Sequence, residues 1–147
     1  MATRAISFRR ATVPGETAFD LVTLDADQRH IRRRRITLAG GEDILVDFEQ
    51  PARLQHGDRL VLEDGRLATI VAAEEDLMAV TGRDSRHLAL LAWHIGNRHL
   101  PAEIGDGRIL LRRDNIIRAM LEALGAGVHD VRVPFAPEHG AYHSHDH

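Results

Sequence analysis

The chain has 147 residues, with 19 basic and 22 acidic side chains, ten His and no Cys. Every basic residue other than His is Arg, so a Walker-A phosphate loop and Schiff-base chemistry, both of which need Lys, are excluded. The missing Cys excludes disulfides, thiolate catalysis and Cys-held zinc or iron–sulfur sites, and a net charge of −3 gives no global attraction for nucleic acid or an anionic membrane.

In chain order, the first half reads as short strands over residues 17–24, 34–38, 43–48, 59–62 and 67–72, where Val, Ile, Leu and Phe mix with polar residues. Gly40-Gly41 and Asp64-Gly65 are turn signals between them, since Gly tolerates positive φ. No helical periodicity is visible there, so residues 1–74 are expected to form a small all-β domain of a partner-binding type. Arg29-His30-Ile31-Arg32-Arg33-Arg34-Arg35 carries five Arg with no acid nearby. It reads first as a solvated strand edge that resists edge-to-edge pairing, and second as a dock for an acidic partner.

The pattern changes after residue 76. A strand is expected over 77–81, then a helix capped by Asp84 or Ser85 that carries Leu88, Leu91 and Ile95 on one face and stops at Gly96. Strands over 100–104 and 108–111 flank Gly105-Asp106-Gly107. Asp114 caps a second helix with Ile117, Met120, Leu121 and Leu124 on one face, ended by Gly125. A last strand covers 128–135. The order β-α-β-β-α-β is that of a ferredoxin-like domain, so the expected class is α+β, with a ferredoxin-like domain over 75–135. Residues 136–147 are rich in Pro, Gly, His and Asp and read as a flexible, disordered His-rich tail.

His143-Ser144-His145-Asp146-His147 alternates imidazoles with polar residues, and His139 precedes it. Several imidazoles on one pliable segment suit zinc, copper or nickel; an expression tag and a solubilising tail are the plainer alternatives. His99 falls just past the first helix, in a loop closed by Pro101, where a side chain is available for ligation. A single His cannot close a metal site. Either tail histidines fold back to it, or a second subunit presents its own His99 across a two-fold axis. His94 lies beside the core stripe and reads as a helix histidine, with ligation left open. His30, His56, His87 and His129 are scattered and read as structural or solvent-facing.

Gly96-Asn97-Arg98-His99 with Pro101, the Leu62-Glu63-Asp64-Gly65-Arg66 hairpin, and Pro134-Phe135-Ala136-Pro137-Glu138 followed by Gly140-Ala141-Tyr142 before a His tail together resemble the UreE family of urease accessory proteins. The resemblance spans nearly the whole chain. It implies a nickel metallochaperone, not an enzyme, that dimerises through the second domain. It also implies that Ni²⁺ is held by His99 at the interface and supplemented by His139, His143, His145 and His147. The cargo would be delivered for urease assembly with the GTPase UreG and the other accessory proteins. The second helix departs from the family pattern: many members open it with Asp-His, whereas Asp114-Asn115 stands here, which removes a folded-domain ligand and leaves Asp114 a capping role.

Other chemistry finds little support. The three Ser residues lie in no nucleophile elbow and no His-Glu-x-x-His occurs. An RNA-recognition sheet needs stacking aromatics, and the strands of the second half offer only Phe135. No apolar run or leader suggests a membrane or export, so the expected location is the cytoplasm. A protein-interaction module that buffers zinc, copper or nickel incidentally is the alternative function.

Overall fold

A computed structural model describes residues 2–13 and 17–138, and the chain divides into two compact units between Ala73 and Glu74. The first unit holds β1 (Thr3–Arg9), β2 (Asp20–Leu24), the one-turn α1 (Ala26–Arg29), β3 (His30–Thr37), β4 (Asp43–Arg53), β5 (Arg59–Leu62) and β6 (Leu67–Ala72). These strands form one six-stranded sheet in the order β2-β6-β5-β1-β4-β3. The β1–β4 and β2–β6 pairs are parallel and the others antiparallel. Alternation along β4 turns Ile44, Val46 and Phe48 into the core, where they meet Ile36, Leu60, Leu62 and Ile70.

Three features of this unit depart from the sequence expectation. The strand β1 was not anticipated, because Ala5 is its only fully buried residue and no apolar alternation marks it. The helix α1 is too short for periodicity. Its signature is the capping box, in which the Asp25 side chain accepts from the Gln28 N–H and the Gln28 side chain returns to the Asp25 N–H. The Arg run also divides. Arg29 is buried in α1 and donates to the carbonyls of Leu24 and Leu54, whereas Arg32 to Arg35 are exposed on β3, at the sheet edge. An acid does lie nearby: Arg33 pairs with Asp47 across the β3–β4 ladder at 3.2 Å.

The second unit contains β7 (Glu74–Thr81), α2 (Ser85–Asn97), β8 (Ala102–Ile104), β9 (Ile109–Arg112), α3 (Asn115–Ala123) and β10 (Gly127–Pro134). Its sheet is antiparallel throughout, in the order β10-β7-β9-β8. Met78, Val80, Ile109 and Leu111 project from one face and pack against Leu91 and Ile95 of α2 and Leu121 of α3. Both helices therefore cover the same face. Asp84 caps α2 by accepting from the His87 N–H, and Asp114 caps α3 by accepting from the N–H groups of Ile116 and Ile117. Gly125 ends α3 at φ +86°.

Two boundaries move. Gly96 does not stop α2, which continues to Asn97. Residues 136–138, assigned to the tail by sequence, are tied to β8: the Ala136 N–H donates to Glu103 Oε1 at 2.8 Å and the Glu138 N–H to the Ala102 carbonyl at 2.7 Å.

Candidate metal centre

The site begins with the way α2 ends. Arg98 is its C-cap, and the next residue, His99, adopts φ +58°. This left-handed position follows many helices and normally belongs to Gly. Among the described residues His99 is the only non-Gly residue with positive φ. The conformation is held by local bonds, from the Arg98 N–H to the Ile95 carbonyl and from the His99 N–H to the Gly96 carbonyl, both 3.1 Å. Pro101 then forces the chain to stay extended at Leu100. The result is a solvent-exposed imidazole at a sharp corner between α2 and β8.

The flank of α2 that leads to this corner is apolar and open. Leu90 is 45% exposed and Trp93 is 62% exposed. Their spacing of three residues puts them on one face, away from Leu91 and Ile95. A Cβ added at Gly96 would meet nothing within 4 Å, so the helix surface is bare there as well. His94 is half-buried, with its ring edge-on to the Trp93 indole at 5.1 Å between centroids.

The remaining histidines are tied elsewhere or stand apart. His87 is buried, and its Nδ1 accepts from the Arg83 N–H at 3.0 Å. That acceptor role puts the ring hydrogen on Nε2, which donates to the Leu124 carbonyl at 2.8 Å. The ring thus clamps the start of α2 to the end of α3. His56 is exposed and accepts from the Ala72 N–H. His129 is exposed on β10, on the sheet face away from the helices. Asn115 opens α3 on the surface, and the Asp114 carboxylate is engaged in capping.

Among the described residues, no group of three or more His, Asp or Glu side chains is arranged to hold a metal ion. His139, His143, His145 and His147 lie outside the described residues. His99 alone of the expected ligands therefore has a described position. Nor is any helix among the described residues long and apolar enough to cross a membrane.

Two family models match the chain, the N-terminal domain of the UreE urease accessory protein over residues 5–73 and its C-terminal domain over residues 75–147. These halves meet where the two structural units do, and they define an accessory protein of urease maturation. Relatives agree. The chain is 54% identical to the urease accessory protein UreE of Chelativorans sp. (strain BNC1), over 92% of this chain and 86% of that one. It is 58% identical to UreE 1 of Brucella suis biovar 1, over 82% and 75%, and 48% identical to UreE of Agrobacterium fabrum, over 97% and 88%. The chain belongs to the UreE family of urease accessory proteins.

Proposed function

We propose that this protein is a homodimeric, cytoplasmic nickel carrier of urease maturation, and that His99 is the centre of its metal site. The observation that carries the reading is the corner at His99. A β-carbon-bearing residue occupies a backbone position where Gly would be less strained by about 1 kcal/mol, and its imidazole is exposed beside a bare, partly apolar helix flank.

The strand order β10-β7-β9-β8, with both helices on one face, supports a ferredoxin-like assignment for the second unit. In a two-fold dimer built on the Leu90–Trp93 flank, each His99 approaches its own copy, so one residue per chain supplies two ligands. Histidines 139, 143, 145 and 147 complete a set made only of imidazole and oxygen donors. Such a set binds Ni²⁺ through neutral imidazoles and releases it by ligand exchange. Zinc and copper compete for it in vitro, copper more strongly. Delivery proceeds with UreG and the other urease accessory proteins; neither nucleic acid nor membrane takes part. The four exposed Arg on β3 favour a partner-binding role for the first unit.

Calorimetric titration of nickel into the full chain, a His99→Ala variant and a chain ending at Glu138 tests this reading. The tightest site is expected to vanish in His99→Ala and the total capacity to fall in the truncated chain. An unchanged tightest site in His99→Ala rules out the interface site. If both variants bind like the parent, nickel carriage is not the function, and incidental metal buffering by an interaction module replaces it.

A further inference from the structure

We propose that the free edge of β3 docks an acidic, extended segment of a partner protein, which adds to the six-stranded sheet as a seventh strand beside Arg33 and Arg35. This inference rests on the partner-binding reading of the first unit and deepens it; the nickel site takes no part in it.

The geometry follows from the ladder between β3 and β4. After a register break at Arg32, residues 33 to 37 pair one for one with residues 47 to 43. The Leu38 N–H donates to the Glu42 carbonyl at 2.9 Å, and this bond sets the phase of the alternation. Ile36 and Arg34 share that phase, so their N–H and C=O groups point at β4. Those of Thr37, Arg35 and Arg33 point to the open side. Ala39 belongs to the same outward series, and its N–H is bonded to the Leu21 carbonyl at 2.8 Å, which closes the edge at that end. The open stretch from Arg33 to Thr37 is about 13 Å long at about 3.3 Å per residue, enough for a strand of ordinary length.

The charge on this edge is poorly matched within the molecule. The chain has more acids than Arg residues, and elsewhere arginines find them. Arg10 pairs with Asp58, Arg66 with Glu42 and Asp64, and Arg132 with Asp76. On β3, Arg33 pairs with Asp47 at 3.2 Å, and Arg4 shares that carboxylate. Among the described residues, Arg32, Arg34 and Arg35 make no ion pair. The free guanidinium groups also stand on both sides of the sheet. Arg34 lies opposite Val46, on the core-facing side, whereas Arg35 lies opposite Leu45, on the other. An incoming strand therefore meets positive charge on each of its faces. That selects acids at consecutive positions, not at alternate ones.

The backbone decides the class of partner. The edge offers carbonyl acceptors as well as N–H donors, in alternation. A peptide strand supplies both complements, so main-chain bonds give affinity and side chains give selectivity. A phosphate chain carries acceptors alone and leaves the carbonyls of Arg33 and Arg35 unanswered. The arginines draw an acidic segment in and fix its register, and the ladder then holds it.

The test uses the full chain without metal and a capped synthetic peptide, Thr-Val-Glu-Asp-Glu-Val-Thr. Amide hydrogen exchange is expected to slow at Arg33 and Arg35 when the peptide is added, and to change little at Arg34 and Ile36, whose N–H groups already face β4. Fluorescence anisotropy of the labelled peptide is expected to show affinity falling about threefold in Arg34→Gln and in Arg35→Gln, and about tenfold in the double variant. The peptide with Gln-Asn-Gln at its centre is expected to bind at least about tenfold more weakly. Equal binding by the double variant, or protection that misses Arg33 and Arg35, overturns the docking edge. So does a peptide that fails to bind. An oligouridylate of equal charge that binds as tightly as the peptide makes the strip a general polyanion surface and overturns it too. Protection confined to other strands of the first unit, unaltered in both Gln variants, overturns the edge while the partner-binding reading survives. The nickel titrations of His99→Ala judge the carrier reading separately, since none of these variants touches that corner.

Discussion

At the scale of single residues, His99 and Gly96 occupy each other's expected places. Gly96 sits inside a helix, where Ala would be more stable by about 1 kcal/mol, and His99 sits where Gly would relax the backbone. Gly96→Ala is expected to raise the melting temperature, since its added methyl group meets nothing within 4 Å; calorimetric scanning measures it. His99→Gly is expected to leave stability within about 1 kcal/mol of the parent, on the stabilising side. The same variant removes the tightest nickel site, so the pair of measurements separates ligation from folding. His87→Ala acts in the opposite sense. It removes the buried ring that joins the half-buried Leu124 carbonyl to the Arg83 N–H, and denaturant unfolding should record a loss of about 1–2 kcal/mol.

At the scale of elements, α2 has one flank in the core and another open to solvent. Trp93→Glu is expected to leave far-ultraviolet circular dichroism unchanged while sedimentation shifts from dimer to monomer. A species that stays dimeric would move the interface off this flank. The two helices and their capping residues were legible in the sequence because Asp84 and Asp114 precede stripes of three-and-four spacing. The end of α2 was not. A helical Gly costs too little to guarantee a stop, and the break is made by the restricted Leu100–Pro101 pair and the turn at His99. β1 was illegible for a different reason. It is flanked by β5 and β4, partners some forty to sixty residues away, and its local pattern offers only Ala5 as a buried position. Phe135 was read as a strand end and the next three residues as tail, because Pro and Ala give no sign of a contact with β8. Of the site, His99 could be singled out from its loop position, whereas the bond from the Ala136 N–H to Glu103 could not, since it depends on a contact that only the fold creates.

At the scale of the whole molecule, binding and folding respond to acid in separate windows. Hydrogen bonds from arginines hold several carboxyls below their ordinary values: Arg66 on Glu42, Arg4 on Asp47 and Arg118 on Asp130, while the Arg66 backbone N–H leads at Asp64. A depressed carboxyl stabilises the fold above its ordinary pKa of about 4 and loses that contribution as the pH falls through its native value. Imidazole ligation fails earlier, because protonation with an ordinary pKa of about 6.5 removes the donor pair. Between about pH 4.5 and 5.5 the protein is therefore expected to keep its fold and lose nickel. Parallel circular dichroism and nickel titrations across that range check it, and simultaneous loss of both would tie the ligands to the folded core.

The exposed arginines of β3 bear on how copies of this protein meet. An open sheet edge invites any other edge to extend it. Two molecules approaching edge to edge at β3 would bring eight guanidinium groups together in a narrow strip, the Arg33 charges being partly offset by Asp47. At physiological salt the repulsion acts over about 8 Å, enough to turn such encounters away before backbone groups can pair. Self-association is thereby steered to surfaces without this charge, and a dimer assembled elsewhere on the molecule is protected from growing into a chain of sheets.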